Sequence, residues 1–186
     1  MSKFLKKRSG AIVVLILVIV LSTVFSAHRS LKAERAEIES MLVTGVDGKG
    51  FGINGDIEKR VDYSRNLVKI ARDYPDLDDE CEAVADACDA LTKRDGGASE
   101  AYTLNKQLSD TVENLYLSMS DLTLTEKDEQ YRQELYANIL SRNDTITNEA
   151  AKYNKLALEF NNDTLGTFPA NILRLPAFIA ECELFA

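Results

Sequence analysis

The chain has 186 residues, 45% of them hydrophobic, and its 30 acidic against 22 basic side chains leave a net charge of −8. That acidity argues against nucleic acid as a partner, because phosphate backbones demand clustered Lys and Arg. With one histidine, three cysteines and no CxxC or HExxH spacing, no zinc-ligand pattern is present and no cofactor is expected.

Residues 1–9 form a short basic N-terminus carrying Lys3, Lys6, Lys7 and Arg8. Residues 10–27 follow as an uncharged run with twelve Val, Ile, Leu or Phe. An α-helix needs about 17–25 apolar residues to cross the hydrocarbon core. At roughly −0.3 to −0.6 kcal/mol each, those twelve outweigh the few Ser and Thr. The run predicts one transmembrane helix. A cleaved signal peptide has a similar basic and apolar pattern, but this run is long for one. Val24 and Ser26 make only a weak small-residue cleavage site before Ala27, and Phe25 is bulky where cleavage after Ala27 needs a small residue. The pattern therefore favours a retained anchor. His28, Arg29, Lys32 and Arg35 after the span are diluted by Glu34, Glu37 and Glu39. The positive-inside rule then puts the N-terminus in the cytoplasm and the rest of the chain outside.

Residues 28–55 read as a juxtamembrane helix and a glycine-rich loop. From Leu31 to Val43 helix formers predominate, so the membrane helix should continue unbroken. Five glycines within residues 45–55 then interrupt it. As an EF-hand this loop would begin at Asp47, with Gly52 at the turn and Glu58 as the last ligand. Lys49 and Phe51 would then stand where oxygen ligands are required, which rejects that reading. The GxxxxGK[ST] order of a phosphate cradle is absent as well. A flexible hinge is the expectation.

Residues 56–168 read as a bundle of about four long antiparallel helices. The first, over 56–74, carries Ile57, Val61, Leu67, Val68, Ile70 and Ala71 and is stopped by Pro75. In the second, Leu77, Cys81, Val84, Cys88 and Leu91 alternate steps of four and three, an a/d seam. Asp78, Asp79 and Glu80 suit its N-terminus, and Asp95-Gly96-Gly97 ends it. Cys81 and Cys88 lie about 10 Å apart along that helix, beyond disulfide reach, so both are expected in the core. A bridge from Cys182 to either stays geometrically open. The third helix, near 99–120, presents Ala101, Leu104, Leu108, Val112, Leu115 and Met119. Thr125-Glu126-Lys127-Asp128 resembles a capping box opening the last helix, which carries Tyr131, Leu135, Ile139, Ile146, Tyr153, Leu156 and Phe160 to about Asn162. Gly166 and Pro169 end it. No strand pattern appears, so the fold class is all-α, one N-terminal membrane helix followed by a bundle.

Residues 169–186 form an apolar tail, too short to span a membrane. It could dock on the bundle, meet a partner or touch the membrane, with docking as the expectation. Tyr153 and Phe160 are seven apart on one helical face, as core residues are. Asn154 and Asn161 form an adjacent stripe suited to bonding the backbone of a neighbouring segment. Phe168 and Pro169 should redirect the chain. These six are the structural and interaction candidates.

Two stretches carry a family resemblance. Tyr153-Asn154-Lys155-Leu156-Ala157-Leu158-Glu159-Phe160-Asn161-Asn162, followed by Phe168-Pro169-Ala170-Asn171-Ile172-Leu173, resembles the terminal signature of the LemA family. Upstream, residues 56–68, from Asp56-Ile57-Glu58 to Asn66-Leu67-Val68, resemble its other conserved segment. The chain departs from the pattern at the glycine-rich loop, at Ser64-Arg65 and at Ala151-Lys152. The resemblance implies a bacterial membrane protein with one N-terminal span and a helical bundle, and it brings no catalytic activity.

No nucleophile–base pairing is visible, because the only histidine, His28, sits at the membrane edge. The expected role is non-enzymatic: a membrane-anchored scaffold with protein partners in the envelope. The alternative is a sensor in which the glycine loop and the acidic cluster of Asp73, Asp76, Asp78, Asp79, Glu80 and Glu82 answer a cation or a cell-wall fragment.

Overall fold

A computed structural model describes residues 8–48, 50 and 52–186, and among these the chain is helical with no strand. Lys3, Lys6 and Lys7 of the basic N-terminus, and Lys49 and Phe51 of the glycine loop, lie outside the described residues. Helix α1 runs without a break over Arg8–Thr44, so the apolar run and the juxtamembrane segment are one helix. It is long and apolar enough to cross a bilayer once. At its end Gly45 takes a positive φ of 77° and its N–H bonds the Met41 carbonyl at 2.9 Å, a left-handed C-cap.

The described chain divides into two compact units. The bundle unit is residues 40–155 with 183–186, and the anchor unit is the chain up to Glu39 with residues 156–182. Helices α1 and α5 contribute to both.

In the bundle unit, α2 spans Ile53–Ala71, α3 Asp78–Lys93, α4 Ala98–Ser120, and α5 begins at Glu126 and runs to Glu159. Helix α2 starts three residues before the expected Asp56. Gly52 explains this: a Cβ there would collide with the Leu42 and Val43 backbone. The glycine allows a close approach, so Ile53 is buried and helical at once. The α3 seam of Leu77, Cys81, Val84, Cys88 and Leu91 is buried throughout. The three cysteines are free thiols. Pairings from Arg94–Asn54 to Arg65–Asp89 run α2 against α3 in opposite directions, and Asn105–Asn143 and Tyr116–Tyr136 do the same for α4 and α5. Each fully buried Leu or Ile adds about 1.5–3 kcal/mol.

Two inner faces differ from expectation. On α4, Leu104 is half-buried and Asn105 takes the inner position. On α5, Tyr131 is exposed and Arg132 is buried. Arg132 grips both carboxylate oxygens of Glu129, donates to the Tyr116 carbonyl at 2.8 Å and lies 4.2 Å over the Tyr116 ring. A guanidinium can be buried when all three edges are matched like this.

The capping box forms with an added member. Asp128 N–H donates to Thr125 Oγ1 at 3.1 Å. Tyr74, from the segment after α2, accepts from Thr125 N–H at 3.0 Å and donates to Asp128 Oδ2 at 2.6 Å. The bonds from Tyr74 and then Thr125 hold the Asp128 carboxyl below its usual range.

In the anchor unit, α1 buries Leu31 and Ile38, while residues 12–21 leave every large side chain between 40% and 60% exposed. The α-helical path of α5 ends in a π-helical turn, Phe160–Thr164, closed by Leu165 N–H to the Phe160 carbonyl at 2.8 Å. Gly166 follows where a Cβ would strike the Asn162 carbonyl. A short helix α6, Ala170–Leu173, comes next. Thr164 reaches Glu34 at 3.2 Å, and His28 Nδ1 donates to the Ala177 carbonyl at 2.5 Å.

Candidate functional site

Four of the six sequence candidates fasten the C-terminal tail or lie in the core beside it. In the bundle unit Tyr153, buried on α5, donates its hydroxyl to the Glu183 carbonyl at 2.9 Å. The next residue, Asn154, donates Nδ2–H to the Phe185 carbonyl at 3.0 Å and accepts the Phe185 N–H at 2.7 Å. The Phe185 ring packs edge-on against Tyr102, 5.6 Å between centroids. In the anchor unit Phe160 is buried, and Asn161 repeats the same double bond with Cys182, at 2.9 and 2.8 Å. One carboxamide thus satisfies both backbone groups of one tail residue, as a neighbouring strand would. Burial pushes the Cys182 thiol up to about 11.

Phe168 and Pro169 are placed differently. Both are exposed. Pro169 caps the start of α6, and Phe168, joined to it by a cis peptide, projects into the surroundings.

The bundle unit also holds a cleft of about 530 Å³, lined among others by Tyr102, Asn105, Lys106, Asn143, Asn154 and Phe185. Near its wall stands a buried polar layer that the sequence reading missed. Arg60 is 1% exposed. It donates to the Asn105 carbonyl at 3.4 Å, to the Asn105 side chain, and to Ser109 Oγ at 2.9 Å. Asn105 in turn donates to Asn143 at 3.4 Å. Burial lowers the Arg60 guanidinium to about 10. A signal for this layer existed. Ile53, Ile57, Arg60, Ser64, Leu67 and Ala71 step by four and three, and so do Ala98, Ala101, Asn105, Leu108, Val112, Leu115 and Met119. A polar residue at one such position is a known device for fixing register.

Two hydroxyls on the cleft bond the backbone of their own helices. Ser109 bonds the Asn105 carbonyl at 3.1 Å and Thr147 the Asn143 carbonyl at 2.9 Å. Among the described residues no group of three or more His, Cys, Asp or Glu could hold a metal ion. The polar groups just described bind other parts of the fold. The arrangement holds the tail through paired backbone and side-chain bonds. No family model matches the chain, and neither a curated protein nor a solved structure does.

Proposed function

We propose that this protein is a divergent LemA-like scaffold: a membrane-anchored helical bundle that works without catalysis and binds other proteins of the bacterial envelope. The observation that carries the reading is a contrast along α1. Residues 12–21 turn large apolar side chains outward, whereas Leu31 and Ile38 of the same helix are buried. A continuous helix with these two patterns suits lipid along its first part and protein along its second. The charge bias around the span favours a cytoplasmic N-terminus and a bundle outside. The asparagine and tyrosine contacts support a structural use of the polar residues. Photocrosslinking in intact membranes tests the scaffold role. Recovered protein neighbours are the expected result, and a bundle that crosslinks to none overturns it. Protease treatment of intact cells should remove the bundle, and a protected bundle would reverse the orientation.

A second reading is an envelope sensor that takes a cation or a cell-wall fragment, and the cleft of about 530 Å³ favours the fragment. Ligand selective for the folded form raises its stability. A melting-temperature shift with muropeptides or Ca²⁺ would therefore move the assignment to this reading.

A further inference from the structure

We infer that Phe168, Ile172, Leu175 and Phe178 form a second membrane contact, dipping into the lipid interface beside the point where α1 leaves the hydrocarbon. This rests on the reading of α1 as a span and adds a lipid-facing role for the tail.

The four side chains are 78%, 62%, 75% and 89% exposed, while Leu165 and Ala177 of the same stretch are buried. The segment is therefore two-faced: one face is used by the fold, and the other places two phenylalanines, an isoleucine and a leucine outside it. In water that face would leave four large apolar side chains unburied, forgoing the stabilisation that burial supplies. An apolar cluster of this kind marks an interaction surface.

The level of the face identifies the occupant. His28 holds the Ala177 carbonyl at 2.5 Å, and His28 is the first residue after the apolar run. Phe178 adjoins Ala177 in sequence. On α1, Val24, Ala27 and His28 are half-covered and Leu31 is buried, one stripe at spacings of three and four. The cover therefore reaches one residue-turn into the apolar run, about 5 Å along the axis. The tail at Ala177 and Phe178 therefore meets α1 where the exposed apolar surface of the span ends, the level of headgroups and upper acyl chains. Arg29 and Lys32 are exposed at the same end of α1, where cations meet lipid phosphates. A soluble partner would have to displace headgroups to reach this face.

The backbone adds an independent argument. Ile179 N–H bonds the Arg174 carbonyl at 3.0 Å and Phe178 N–H bonds the Leu175 carbonyl at 3.2 Å, which is a Schellman motif. Its left-handed position, φ 54°, is held by Phe178, where glycine is the usual residue. A bulky exposed side chain there strains the backbone with little packing in return. An aromatic ring at that site suits contact with lipid, since aromatic rings favour the interface.

The chain has no tryptophan, so single insertions report depth cleanly. Full-length protein carrying Leu175→Trp, Leu17→Trp or Leu117→Trp is reconstituted in phosphatidylcholine vesicles with brominated acyl chains. Leu175→Trp and Leu17→Trp should lose most of their emission to the bromines. Leu117→Trp, on the exposed face of α4, should stay bright and yield instead to aqueous iodide. Quenching at Leu17→Trp without quenching at Leu175→Trp overturns the second contact and leaves the anchor standing. Quenching at neither overturns both. Emission at Leu175→Trp shielded from bromine and iodide alike assigns the face to a protein or a second copy, and also overturns the proposal. Phe178→Gly relieves the left-handed backbone and so preserves the fold. Added to Leu175→Trp it should weaken bromine quenching, and undiminished quenching would remove Phe178 from the contact.

Discussion

The two units use apolar side chains in opposite senses. In the bundle unit Leu67, Leu91, Leu108 and Leu115 are fully buried, whereas in the anchor unit Ile16, Leu21, Phe168 and Phe178 stand outside. The same residue types obey one rule in both, since apolar surface leaves water wherever it can. The bundle unit withdraws it into its own core, and in our reading the anchor unit gives it to lipid. The contrast therefore describes the solvent around each unit as much as its packing.

The largest expected effect breaks the contrast at the core. Leu108→Ala should cost about 2–5 kcal/mol of stability in denaturant titration of the detergent-solubilised protein, whereas Leu17→Ala should leave that midpoint in place. Equal losses would mean that the two environments do not differ. Next is the buried polar layer. Asn105→Leu removes one of the three acceptors of the buried Arg60 guanidinium and should cost about 1–3 kcal/mol, while Arg60→Met with Asn105→Leu should recover most of it. A double variant no better than the single one would show that the layer is not a coupled unit.

The tail fasteners come third. Asn161→Ala should remove about 1–2 kcal/mol of protection from the Cys182 amide, and Asn154→Ala the same from the Phe185 amide, both read by hydrogen exchange. Unchanged exchange at either would deny that carboxamide its role. The Tyr74→Phe change is smaller. It should cost about 1 kcal/mol by opening the Thr125 cap, with exchange rising first at the Thr125 amide.

The pH effect is the gentlest. Burial pushes the Cys88 thiol from its ordinary 9.0 up to about 11. The folded protein then keeps a proton that the unfolded chain gives up, so stability is intact below pH 9 and declines as pH climbs toward 11. Cys88→Ala should lessen the decline between pH 9 and 10, with Cys182 (about 11) keeping part of it, below the range in which Arg60 (about 10) opposes it. An unchanged slope would deny Cys88 its part.

The seam of α3 was legible because five apolar residues repeat without a polar intruder. The inner face of α4 was not legible, because Leu104 competes with Asn105 for one position and hydrophobicity alone favours the leucine. At α5, Arg132 displaces Tyr131 by a network with Glu129 and Tyr116 that no local pattern announces. Asparagines seven apart pointed toward backbone partners. Which backbone groups they meet was hidden, because the tail has no periodicity to set its register. Phe178 was hidden for a related reason, since a left-handed turn centred on phenylalanine has no sequence signature.

The most direct test of the account is labelling of the reconstituted full-length protein by a phospholipid carrying a photoactivated diazirine in its acyl chain. Peptides covering residues 12–25 and 168–178 should take up the lipid, and those of α2, α3 and α4 should stay clean. Label spread over the bundle helices, or absent from 168–178, would contradict the division between a water-facing bundle and a lipid-facing anchor unit.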